Sequence, residues 1–135
     1  MAERNIMFYR RLQWGVFMSD NDLKLAMQNL ANEAFGLADY FKIKLDYSED
    51  SVANLETFCR LVHSLTKLKP EVYNEEVIQK TARYMGAYLG ELIIRNLGGE
   101  WEIGKGKGIS VRNGVFACSP IWIYHDKIKI KYRNL

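Results

Sequence analysis

Histidine, cysteine and proline are scarce in this chain of 135 residues, with two of each. His63 and His125 lie far apart, and neither has a second ligand at a metal-binding interval, so no zinc site is expected. Cys59 and Cys118 are too few for a disulfide scaffold and read as free thiols, Cys59 on the inward face of a helix. In residues 1–18, MAERNIMFYRRLQWGVFM, Arg10 and Arg11 break any apolar run that could act as a signal core, so no secretory leader is expected. No stretch approaches the roughly 20 apolar residues of a transmembrane helix. These absences give the expectation of a cytoplasmic protein without membrane association, metal or cofactor.

The chain does have apolar residues, at 48%, enough for one domain to bury a core without staples. Its charge is uneven. Residues 1–98 carry 12 Lys and Arg against 13 Asp and Glu, whereas residues 99–135 carry 7 against 3. The basic excess is therefore C-terminal, and Lys105, Lys107, Lys127, Lys129 and Lys131, with Arg112 and Arg133, form a candidate basic surface for phosphate or an acidic partner. The competing reading is a set of solvated lysines that keep sheet edges from pairing.

Residues 19–98 read as mainly helical. Ser19 or Asp20 can cap a helix of about twenty residues, in which Leu23, Met27, Leu30, Ala34, Leu37 and Phe41 form a narrow seam. A seam of this spacing serves packing on neighbouring helices and is also compatible with a homodimer. A second helix opens at Ser48, with Glu49 and Asp50 facing the positive end of its dipole, and turns Val52, Leu55, Cys59, Val62 and Leu65 inward. Pro70 breaks the connection to a third helix, capped by Asn74 and ended by Gly98 at a left-handed position. Apolar residues cover most of this third helix, which makes it the central element, and Gly86 and Gly90 inside it point to close packing.

After Gly99 the period changes to two. Residues 100–103, 109–112 and 115–118 read as three antiparallel strands, with a lysine-glycine turn after the first and an Asn113-Gly114 hairpin turn after the second. Pro120 suits the first turn of a helix, yet residues 127–132 alternate like an edge strand. The fold class is α+β in a single domain: three helices, a small antiparallel meander over 99–118, and undecided segments at 1–18 and 119–135.

Three places could carry chemistry. Residues 99–105, GEWEIGK, match the start of a phosphate-binding loop, but Gly106 replaces the magnesium-binding hydroxyl and the helix precedes where it should follow. Cys59 and His63 lie one helical turn apart, which brings a thiol near an imidazole, but no oxyanion donor completes a nucleophilic set. Tyr84, Tyr88, Glu91 and Arg95 form one stripe of the third helix, and Trp101 follows just beyond it. Glu91 precedes Arg95 by one turn, the favourable order for an ion pair. A carboxylate held there could do acid-base work, or it could clamp the helix to the sheet. The spacing favours the clamp.

Residues 46–56, DYSEDSVANLE, and 84–101, YMGAYLGELIIRNLGGEW, together resemble signature regions of small bacterial α+β domains of unknown function. The resemblance spans residues 45–120 and implies helices followed by a short antiparallel sheet in a bacterial cytosolic protein. It supplies no activity and no catalytic residue. The expected function is a small protein-interaction or regulatory module with an unknown protein partner. The alternatives are an enzyme using Glu91, and a nucleic-acid or phosphate binder acting through the basic C-terminal third.

Overall fold

In the computed structural model, which describes residues 19–104, 108–113 and 116–118 with Pro120, Ile123, Tyr124 and Ile128, the first helix begins where the capping signal placed it. Helix α1 spans Asp20–Tyr40, and Ser19 closes a capping box: its Oγ accepts the Asp22 backbone N–H at 3.1 Å while its own N–H donates to the Asp22 carboxylate. The helix ends by a left-handed residue. Lys42 has φ +62°, its N–H bonds to the Asp39 carbonyl, and the Ile43 N–H reaches back to Ala38. This is the pairing of a Schellman cap, with lysine where glycine is usual.

The buried stripe of α1 differs from the expected seam. Leu23, Met27, Ala31, Ala34 and Ala38 are buried, whereas Leu30, Leu37 and Phe41 are only half-buried. Small side chains won because α1 packs principally on α3, whose own contact face includes small residues, and alanine permits close helix approach.

Helix α2 spans Ser51–Leu68 and starts three residues later than expected. Ser48, Glu49 and Asp50 form a tighter turn, with the N–H groups of Ser51, Val52 and Ala53 bonding three residues back. Ser48 still caps, since its Oγ accepts the Ser51 N–H at 3.2 Å, but it caps that turn. The inward set is also corrected. Phe58 and His63 join Leu55, Cys59 and Val62 in the core, while Val52 and Leu65 are half-buried. The reason is a second neighbour: Ile128 and Tyr124, both buried, reach α2 from the C-terminal segment. Cys59 is a buried thiol.

Helix α3 spans Glu75–Leu97, with the Asn74 side chain accepting the Val77 N–H at 3.1 Å and Glu75 and Glu76 in the first turn. Its buried residues, from Ile78 through Met85, Gly86, Ala87 and Tyr88 to Leu92, occupy most of the circumference, as expected for a central helix. Gly98 ends it with φ +84° but ψ 176°, so the chain leaves directly as extended backbone instead of completing a left-handed turn. Gly99 follows at φ +118°, and a Cβ there would meet the Arg112 carbonyl oxygen at 2.6 Å. Only glycine fits that approach.

Strands β1 (Glu100–Gly104), β2 (Gly108–Asn113) and β3 (Phe116–Cys118) form an antiparallel sheet in the order β1-β2-β3. Trp101 pairs with Val111, and both are buried together with Ile109. The second hairpin is shifted by one residue from the expected turn. Asn113 pairs with Phe116 as the last residue of β2, which leaves Gly114 and Val115 as the connection. Beyond β3, the described residues Pro120, Ile123 and Tyr124 are helical and Ile128 lies in a wider helical turn; the rest of the segment 119–135, including most of the alternating stretch 127–132, lies outside the described residues. Residues 1–18, the turn with Lys105 and Lys107, and Lys127, Lys129 and Lys131 lie outside the described residues. Among the described residues no helix is long and apolar enough to cross a membrane.

Candidate functional site

The stripe on α3 faces two other parts of the chain. On one side lies the loop between α1 and α2, and on the other lies β1. Tyr88 is fully buried, and its hydroxyl accepts the Tyr47 backbone N–H at 2.7 Å and lies 2.7 Å from the Ser51 Oγ. Ser51 has one hydroxyl hydrogen, which it donates to the Ser48 carbonyl at 2.7 Å, so the Tyr88 hydroxyl donates to Ser51. A phenol that would otherwise be stranded in the core is thereby satisfied as donor and acceptor.

Tyr47 is the residue that the stripe holds. Its φ of +63° is unusual for an aromatic side chain. Its N–H is held by Tyr88 and its carbonyl accepts the Asn96 amide at 2.9 Å. Its ring stacks on Tyr88, with centroids 4.7 Å apart, and Phe35 meets both rings edge-on. The Arg95 guanidinium lies over the other face, 3.7 Å from the ring centroid. Five contacts from α1 and α3 thus fix one strained residue, which is how such a conformation persists. Burial pushes the Tyr47 phenol above its ordinary range; Arg95 opposes that shift, while Glu91 and Tyr88 add to it. One residue earlier, Asp46 is held below the usual carboxylate range by the Ser48 hydroxyl and backbone N–H.

Glu91 faces the sheet. Its side chain is 5% exposed; one oxygen accepts the Trp101 indole N–H at 2.9 Å and the other lies 3.7 Å from Arg95 Nε. Gly90 makes this contact geometrically possible. A Cβ at Gly90 would sit 2.1 Å from Trp101 Cη2 and 2.3 Å from Cζ2, so the indole ring occupies the space that a side chain would need. The expected ion pair forms, but half of Arg95 is exposed and its main contact is the Tyr47 ring. Both carboxylate oxygens are engaged inside the protein.

The sequence therefore named five residues for this stripe, of which four meet here. Tyr88, Glu91, Arg95 and Trp101 come together, while Tyr84 is half-buried against the core and enters none of these hydrogen bonds. It missed Tyr47, Ser51 and Asn96. Their part depends on long-range contacts and on a positive φ, and neither has a periodic signature. Cys59 and His63 are buried on α2, where the His63 Nδ1 lies 2.6 Å from the Ile128 carbonyl and so donates to it. This histidine joins α2 to the C-terminal segment. Residues 100–104 are a paired strand, which removes the phosphate-loop reading. Among the described residues no cluster of three or more His, Cys, Asp or Glu could hold a metal ion.

Comparison with family models, curated proteins and solved structures finds no match for this chain.

Proposed function

We propose that the protein is a small bacterial cytosolic interaction or regulatory module, with the α3 stripe serving as its internal clamp. The observation that supports this reading is the engagement of Glu91. A general acid or base must reach the proton that it moves. Glu91 is buried among the described residues, hydrogen-bonded to Trp101 and 3.7 Å from the Arg95 Nε. The polar side chains of the stripe are thus spent on holding α3, the Tyr47 loop and β1 together. Binding to another protein then falls to the outer surface, presented by a scaffold that needs to be rigid.

Two variants test this against the enzyme alternative. Full-length protein and Glu91→Gln are each compared in a metabolite-depletion screen and in reciprocal capture from lysate of the source organism. The module reading expects a partner that captures the protein in return, bound equally by Glu91→Gln. A turnover present in the parent and lost in a folded Glu91→Gln protein overturns it.

A further inference from the structure

Helix α3 holds Tyr47 by the groups that a receptor uses on a peptide. The Tyr47 N–H donates to the Tyr88 hydroxyl at 2.7 Å, and its carbonyl accepts the Asn96 amide at 2.9 Å. Its ring fills a slot one ring thick, with Tyr88 stacked on one face at 4.7 Å and the Arg95 guanidinium on the other at 3.7 Å. Main-chain N–H and C=O groups are common to every peptide, and the two stacking faces select an aromatic side chain. None of these contacts requires that the tyrosine belong to the same chain.

Occupancy by its own loop carries a conformational cost. Tyr47 has φ +63°, and the other non-glycine residue with positive φ among the described residues, Lys42 at +62°, stands at the start of the same loop. A bulky side chain in this region is strained, and such strain marks segments with two arrangements. We propose that the slot is a docking site for a tyrosine presented by a partner protein, and that Tyr47 fills it as an internal stand-in which the partner displaces. This rests on the module reading and names the anchor of its partner.

The surroundings allow the exchange. Tyr47 is half-buried and half of the Arg95 side chain is exposed, so the slot reaches the surface. Leu45 and Ser51 are buried on either side, so only the short backbone between them has to turn over while the helices stay packed. Glu91 and Trp101 keep α3 fastened to the sheet throughout. Turning Tyr47 out relieves its torsion and frees the Tyr88 hydroxyl and one Asn96 N–H for the incoming main chain. A partner then binds the open form, and its apparent affinity is lowered by the fraction of protein that stays closed.

The probe is N-acetyltyrosinamide, which carries the ring with amide groups on both sides, and N-acetylleucinamide is its control. NMR titrations compare the full-length parent, Tyr47→Gly, which tolerates the positive φ, and Tyr47→Gly combined with Arg95→Ala. Saturable binding to Tyr47→Gly is expected, about tenfold or more tighter than to the parent because the stand-in is gone. Loss of Arg95 should weaken it several-fold, and the leucine probe should not saturate. Hydrogen exchange of the parent makes the test independent of how the variants fold: the Tyr47 amide should exchange through a local opening, well ahead of the Met85 and Leu92 amides. No saturable binding to a folded Tyr47→Gly, equal binding to the parent, equal binding of the leucine probe, or a Tyr47 amide that exchanges only on global unfolding would overturn the proposal. A parent that dimerises with concentration and loses the dimer in Tyr47→Gly would assign the slot to a second copy instead. Capture of a partner by a protein that ignores the probe would sink the slot and leave the module reading standing.

Discussion

Gly90 is the residue at which substitution should be felt most for the smallest change in mass. Adding one methyl group pushes against the Trp101 ring, and any retreat of the ring pulls its N–H away from Glu91. Overpacking of this kind costs about 1–3 kcal/mol, so Gly90→Ala should lower the urea midpoint well beyond what its better helix propensity returns. Tyr88→Phe keeps the ring stack but removes an acceptor from the Tyr47 N–H and a donor from Ser51. Leaving such groups unsatisfied costs about 1–3 kcal/mol, measurable by the same denaturation, and a near-neutral result would mean that water replaces the hydroxyl. Tyr47 links this cluster to pH. Its folded-state pKa is raised from an ordinary value of 10.0, so its contribution is fully present below pH 10.0. Above that, the unfolded chain ionises first and stability falls until the folded phenol also ionises. Stability measured against pH should therefore show a smaller alkaline loss in Tyr47→Phe than in the parent, with the two curves parallel at neutral pH.

The helices show which features are legible in sequence and which are not. Caps are local, so Ser19 and Asn74 were readable from residue type and position, and the change of period after Gly99 marked the sheet. The faces of α1 and α2 were read less well. Their burial is decided by neighbours distant in the chain, and the alanines of α1 that meet α3 have too little hydrophobicity to announce a face. The hairpin shift has a similar cause, because the Asn113 amide is claimed by the end of α3. The end of α1 carries a prediction of its own. Lys42 adopts a left-handed conformation that costs an L-residue roughly 1–2 kcal/mol, and it is exposed. Lys42→Gly should raise the thermal midpoint, with a net gain of about 0.5–1 kcal/mol after the added freedom of the unfolded chain. A lower midpoint would show that the lysine side chain contributes more than its backbone loses.

At the scale of the whole molecule, long-range polar contacts do what the short sheet and three helices could not do alone. Tyr88 and Asn96 hold the α1–α2 loop against α3, Glu91 and Asn113 hold the sheet against α3, and His63 and Glu56 hold the C-terminal segment against α2. Helix α3 takes part in most of them, which explains why the central stripe reads as functional in sequence. Domains of this size are stable by only about 5–15 kcal/mol, so a single contact of this kind is a large share. The claim that the stripe is a clamp is tested most directly by a double-mutant cycle on Glu91 and Trp101. Denaturation of the parent, Glu91→Ala, Trp101→Phe and the double variant should give a coupling of about 1.5–3 kcal/mol, as for a buried hydrogen bond to a charged group. Additivity within about 0.5 kcal/mol would contradict the account, because it would mean that Glu91 and Trp101 do not depend on each other.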